Sequence, residues 1–526
     1  MELKDVERHC CVVKISGESS SKKPISCSGV IVHPQTGTVI CTGLPFSRFI
    51  ANGAPLSWDT FALFPQSFSD KLKIRVIFPT SLGVSSKQSP HVETFARPRN
   101  RTGQQREVSA ELRMLVNCVE FKQAFLDVFK DADQWRFHGD EGDEMHRDAQ
   151  LLSWFAVLKA GVLTDSGTIP WQSSSSLHKG HPVVACGSPF GSLCLDLFIS
   201  TISRGIISNL SGEDNTVILT DARCLPGTEG GGLFVVEDTD YVRLIGLIVS
   251  PFGWKANEWI GLTLVCSAHL IFTNISRSTS VQDPLCDVWL LEEKLHMSTT
   301  AQESEAVKHP IVCLVDSGHF WGSGVAISSK MVVTCRHVVR GKSSVTLKFH
   351  HRGRVCETAG DVLFSTKPSS PYDLAFVELK VPFPDAVIPR MSQSFTSGEA
   401  VVVVGYGGLG QACGPSLTCG VLSKVISLNH QPVMLQTTCA VQAGASGGAV
   451  VQKHSGELMG IVSSNTRDLA ARVTYPHLNF IIPVTVFQRL LQEFHQRRNT
   501  NVFRELNTTE KGVKRVWRLQ DAQSKL

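Results

Sequence analysis

The sequence lacks the charge imbalance of a polyanion binder: 51 Lys and Arg against 47 Asp and Glu leave a formal +4 over 526 residues. That balance gives no case for nucleic acid or a membrane surface, although the last thirty residues are locally basic. No apolar run is long enough to span a bilayer, and the opening "MELKDVERHCCVVKIS" mixes both charges without the apolar core of a secretory signal. A soluble, non-secreted chain is expected. C-x-x-C pairs are also missing. The 16 scattered cysteines are expected as thiols of a reducing compartment, with no disulfide, no metal site and no cofactor. Long helical patterns are scarce, and only 111–130 and 484–497 space their apolar residues near the helical period.

What is present is a series of short β-branched runs punctuated by Gly, Pro and Ser, which predicts an all-β barrel or sandwich. The runs occur twice. "CSGVIVHPQTGTVICTGLPF" (27–46) matches "GSGVAISSKMVVTCRHVV" (322–339), and "GHPVVACGSPFG" (180–191) matches "GEAVVVVGYGGLG" (398–410). "TISRGIISN" (201–209) matches "LTCGVLSKV" (417–425), and "CLPGTEGGGLFVV" (224–236) matches "CAVQAGASGGAVV" (439–451). Four blocks in one order predict two homologous domains, 1–275 and 306–498, with a linker at 276–305 and a tail at 499–526. The N-terminal copy is expected to carry an insertion at about 82–150, its first part a mobile loop. The acidic "FHGDEGDEMHRD" within it is expected to be solvated surface, because it lacks calcium-site spacing.

Three residues of the second copy carry chemistry. His337 follows an apolar run in "TCRHVV", Asp373 precedes an alternating strand in "PYDLAFVELK", and Ser446 lies in "GASGG". Each alone has an ordinary reading: a core histidine, a turn aspartate, a glycine-rich hairpin. Together, in the order His, Asp, Ser, they supply a base, a carboxylate to fix its tautomer, and a nucleophile. The flanking glycines permit a tight turn that aims the Gly444 and Ser446 N–H groups at one point, as an oxyanion requires. Cys335, Cys413, Cys419 and Cys439 read as small packing residues.

These blocks, with "GSPFG" in the first copy, resemble the chymotrypsin-like serine proteases of the HtrA/Deg type. The resemblance implies two tandem double β-barrels of six strands each, with the triad in the cleft of the second pair. The sequence finishes in Ser524, Lys525 and Leu526, a type 1 peroxisomal address. With the duplication, and with "PVMLQTTCAV", "TYPHLNF" and "TDARCLPGTEGGG", the whole chain resembles the peroxisomal leader-peptide-processing proteases. That implies a serine endopeptidase of the peroxisomal matrix that removes presequences from imported enzymes and also cleaves itself. Its partners would be precursor proteins and the import receptor for the C-terminal tripeptide, with a homo-oligomer left open.

Two departures stand out. Ala445 replaces the aspartate that in secreted trypsins receives a freed N-terminus, and the residues after the last repeat are too few for a PDZ domain. The first copy has Leu44 opposite His337, Ser153 opposite Asp373 and Glu229 opposite Ser446, and is expected to be catalytically silent. It could cover or complete the cleft of the second copy, or merely stabilise it. Self-cleavage in the insert has no cysteine to mark it, since none lies between Cys41 and Cys118. Two other functions remain open, a non-catalytic peptide-binding scaffold and a broad HtrA-type quality-control protease.

Overall fold

The β-branched runs become strands because their side chains pack well on a pleated surface, and the turn residues between them end each run before a helix can propagate. The computed structural model describes residues 1–17, 24–51, 60–79, 105–129, 135–136, 151–163, 167–237, 241–251, 254–255, 258–279, 309–351, 354–383, 388–468 and 473–522. Four barrels follow one another along the chain. In the first, Gln105–Asn117, Lys73–Pro79, Cys10–Ser16, Ile25–His33, Thr38–Thr42 and Trp154–Ala160 pair in that order, and the last returns to Gln105–Asn117. The second runs Thr201–Ser211, Val217–Thr220, Thr263–Ser267, Val242–Pro251, Gly232–Val236, Pro182–Gly187. The third and fourth repeat the plan. One orders Val312–Asp316, Trp321–Ala326, Met331–Thr334, Ala375–Leu379, Arg354–Ser365 and Ser344–His351, the other Ala400–Gly405, Ser416–Leu428, Gln431–Thr437, Val473–Pro483, Leu458–Asp468 and Ala449–Gln452. Closure pairs both sides of every barrel strand, and the alternating side chains fill each interior.

Two expectations are corrected here. Residues 111–117 are not the start of a helix but the end of strand Gln105–Asn117, and the helix spans only Val119–Val128. The strand bulges between Leu112 and Met114, so Leu112, Met114, Leu115 and Val116 are all buried and imitate helical spacing. For the same reason 82–150 is not an insertion throughout, since 105–117 is a barrel strand. The expected mobile loop as far as residue 104, the acidic stretch, almost all of the expected linker and Ser524, Lys525 and Leu526 lie outside the described residues, while the end of that loop, 105–109, belongs to strand Gln105–Asn117. Among the described residues no helix is long and apolar enough to cross a membrane.

The segment read as a tail is folded onto the second domain. Thr500–Leu506 and Lys511–Ala522 are helical, and Phe503, Leu506, Val513 and Trp517 join the core of that domain. Trp517 is buried, its Nε1 donates to the Val433 carbonyl at 3.1 Å, and its ring meets Tyr372 edge-on at 6.0 Å. Removing this ring leaves a large cavity beside Tyr372, the residue before Asp373. Trp517→Ala is expected to cost about 3–5 kcal/mol of stability, read as a lower denaturant midpoint.

The two halves are joined by buried and half-buried polar contacts where Thr201–Ser211 packs on Ser416–Leu428. Asp221 accepts the Ile206 N–H at 2.7 Å and, across the junction, the Cys419 N–H at 2.6 Å. Asn209 Nδ2 donates to Ser416 Oγ at 2.9 Å, and Lys179 Nζ donates to the Cys413 and Pro415 carbonyls at 3.0 and 2.7 Å. Burial pushes the Lys179 ammonium down to about 8. The unfolded chain then binds more protons than the folded one from about pH 8 up to the ordinary lysine value of about 10.4, so stability rises with pH across that window. Relative to Lys179→Met, the wild type is expected to gain about 2 kcal/mol between pH 7.5 and 9.5, as measured by urea unfolding at each pH.

Candidate active site

Strand Met331–Thr334 of the third barrel runs into a one-turn helix, Arg336–Val339, and this places His337 at the barrel rim. Asp373 lies on the approach to the neighbouring strand Ala375–Leu379, which pairs with Met331–Thr334 through Thr334 and Ala375. The two side chains therefore meet. His337 Nδ1 and Asp373 Oδ2 are 2.5 Å apart, and the His337 backbone N–H donates to Asp373 Oδ1 at 3.1 Å. Asp373 is fully buried, and a buried carboxylate needs such partners. Arg336 adds a third: its Nε lies 3.5 Å from Asp373 Oδ1 while its Nη1 donates to the Lys367 carbonyl at 2.7 Å. Sequence reasoning passed over Arg336, although its place beside His337 was visible.

Ser446 comes from the fourth barrel, on the turn before strand Ala449–Gln452. Gly444 and Gly447 hold φ of +89° and +87°, and a Cβ on Gly447 would stand 1.9 Å from the Ser323 carbonyl oxygen, so only glycine fits. Ser323 of the third barrel stitches the turn in place. Its N–H donates to the Ser446 carbonyl at 2.8 Å, its Oγ donates to the Gly444 carbonyl at 2.8 Å, and it accepts the Tyr406 N–H at 2.8 Å. Ser446 is buried, and its Oγ donates to the Ser463 carbonyl at 3.1 Å. Ser463 has no signature as an acceptor in the sequence, because its contribution is a main-chain carbonyl.

Among the described residues, Cys335, His337 and Asp373 are the group whose ligand atoms come close enough for a metal, all within 4.8 Å of one another. His337 and Asp373 are already hydrogen-bonded together, and buried Cys335 donates to the Val462 carbonyl at 3.2 Å. An ion there would have to break both contacts.

The first domain repeats the scaffold with other side chains. Ser28 donates its N–H to the Glu229 carbonyl at 2.9 Å and its Oγ to the Gly227 carbonyl at 2.7 Å, and accepts the Ser188 N–H at 2.8 Å. These three bonds put Glu229 at the station of Ser446 and Gly227 at that of Gly444. The Glu229 carboxylate turns back to accept the Gly227 N–H at 2.7 Å, the amide that corresponds to Gly444. Along the paired ladders Cys41 takes the station of Thr334 and Ala156 that of Ala375. Leu44 then falls at His337, but Trp154 rather than Ser153 falls at Asp373, a correction of one residue. "LSWFAVL" and "PYDLAFV" are apolar enough to align either way, and strand pairing decides between them. Ser153 is buried and donates to Asn117 Oδ1 at 2.7 Å.

Closed six-stranded barrels in pairs, with a His–Asp pair on one and a glycine-held serine on the next, define the class of trypsin-like peptidases. The trypsin-like peptidase domain family matches residues 119–247 and 322–461, one segment in each half. The peroxisomal leader peptide-processing protease of Homo sapiens is 37% identical over 98% of this chain and 97% of its own. That of Mus musculus is 38% identical over 94% of this chain and 92% of its own. A solved serine endoprotease from Yersinia pestis is 22% identical over 36% of this chain and 64% of its own, with a TM-score of 0.29. This chain belongs to the family of the peroxisomal leader peptide-processing proteases, and it is a serine endopeptidase.

Proposed function

We propose that the chain cleaves leader peptides from precursor enzymes in the peroxisomal matrix, with Ser446 as nucleophile, His337 as general base and Asp373 as the group that orients the ring. In this reading Ser446 Oγ leaves the Ser463 carbonyl by rotation about its χ1 and gives its proton to His337 Nε2 as it attacks the scissile carbonyl. The Gly444 and Ser446 N–H groups stabilise the oxyanion, His337 returns the proton to the leaving amine, and water then releases the acyl group with His337 again acting as base. No external co-reactant beyond water is consumed.

The observation that supports this reading most directly is the pairing of half-buried His337 with buried Asp373 at 2.5 Å, which leaves Nε2 as the acceptor nitrogen. The first domain, with Leu44, Trp154 and Glu229 at the matching stations, has neither base nor nucleophile and in this reading is silent. Precursor proteins are the substrates, the import receptor engages Ser524, Lys525 and Leu526, and self-cleavage and self-association belong to the same reading. The test is incubation of purified wild type and Ser446→Ala with a peroxisomal precursor, followed by mass spectrometry of both proteins. Cleavage of one presequence bond by the wild type alone is the expected result; a precursor left intact by both would overturn it in favour of a peptide-binding scaffold.

A further inference from the structure

Ala445 cannot form the ion pair that a carboxylate at this point of the turn would offer, so the turn from Gln442 to Ser446 is held by other contacts, of which those of Ser323 are one set. Gln442 supplies another. It is buried, its main-chain carbonyl accepts the Ala445 N–H at 3.0 Å, and so it forms the base of the turn that presents the Gly444 amide. Its side chain is held at both ends. Oε1 accepts the Gly408 N–H at 3.2 Å, and Nε2 donates to the carbonyl of Ile260 in the first domain at 2.9 Å.

Both anchors lead to the same body. Ile260 is buried in the core of the first domain, and Leu409, next to Gly408, inserts from the second domain into that same core. The two domains pack closely beside this side chain. A Cβ on Gly407 would stand 2.5 Å from Gln442 Oε1, and one on Gly261 would come into ordinary van der Waals contact, at 3.4 Å, with Ala440, Pro476 and His477 atoms on the wall beside the turn. A buried amide with both ends satisfied fixes a rotamer, and losing either partner leaves a desolvated polar atom.

We propose that the first domain is a built-in activator, which holds the oxyanion turn of the second domain in working geometry through Gln442. Gln442 is a positioning residue. It acts through the Gly444 and Ser446 amides, and the proposal rests on the catalytic reading given above.

The test uses full-length protein with Gln442→Leu, which keeps the volume and removes both side-chain bonds, and Gln442→Glu, which keeps the acceptor for Gly408 but sets a carboxylate against the Ile260 carbonyl. Removing one oxyanion donor outright costs about 100- to 1000-fold in kcat, and loosening the turn that aims them is expected to cost about 10- to 100-fold. The loss should fall on kcat, with KM changed less than about threefold. Affinity for a peptide boronic acid, whose tetrahedral adduct fills the oxyanion position, should fall by the same factor as kcat/KM, while the peptide amide of the same sequence binds as before. If one variant fails to fold, the other carries the same readouts. A kcat within twofold of wild type in the folded variants overturns the proposal, as does a change confined to KM and to the preferred residue at the cleavage site, which would make Gln442 a pocket wall. Wild-type protein that a fluorophosphonate does not label at Ser446 removes the catalytic reading itself and the proposal with it.

Discussion

In Ser446→Ala, kcat for peptide hydrolysis is expected to fall by about a millionfold, the scale on which removal of a triad nucleophile acts, with the fold intact. The turn tolerates the change because the bonds that hold it do not use the Ser446 hydroxyl. The Ser446 carbonyl accepts the Ser323 N–H and Gly444 keeps its bond to Ser323 Oγ, and neither involves the lost hydroxyl. The Ser463 carbonyl loses a donor, at a cost of about 1 kcal/mol, which is small beside the stability of a domain. Substrate binding should persist. A single-turnover measurement showing bound, uncut peptide, with circular dichroism unchanged, checks the expectation; residual turnover above about one part in a thousand would assign the nucleophile elsewhere.

The second large effect is expected from Asp373→Asn, about ten-thousandfold in kcat. An asparagine amide would present its N–H groups to His337 Nδ1, driving the ring proton to Nε2, where it blocks acceptance of the Ser446 proton. The carboxylate also faces Arg336 Nε at 3.5 Å and the His337 N–H at 3.1 Å. The substitution therefore leaves the guanidinium beside a neutral group, and an additional loss of stability is expected. Comparing pH–rate profiles with the unfolding midpoint separates the two. A tautomer defect lowers kcat in protein that is still folded at the assay temperature, whereas a purely structural defect would restore kcat on cooling.

The repeats made the barrel plan legible, because a duplicated order of β-branched runs and glycine turns leaves few architectures. His337, Asp373 and Ser446 stand out as candidates for a similar reason, since each would carry its chemistry in its side chain and sits in a short distinctive block. What escaped was of two kinds. The strand Gln105–Asn117 was disguised by its bulge, which breaks the period of two at the point where the apolar residues begin. Ser463 and Ile260 act through main-chain carbonyls, which no residue type announces. Ile260 also meets Gln442 from 182 positions away in the chain. The helices after residue 500 were passed over as a tail although Val513 and Trp517 stand one helical turn apart.

The Glu229 side chain, bent onto the Gly227 amide, has a consequence for counting. A substrate carbonyl approaching the first domain meets a carboxylate already seated where its oxygen would go, so neither a burst of released leaving group nor a suicide label should register there. Titration with either reagent should saturate at one equivalent per chain, even though the polypeptide folds two peptidase scaffolds.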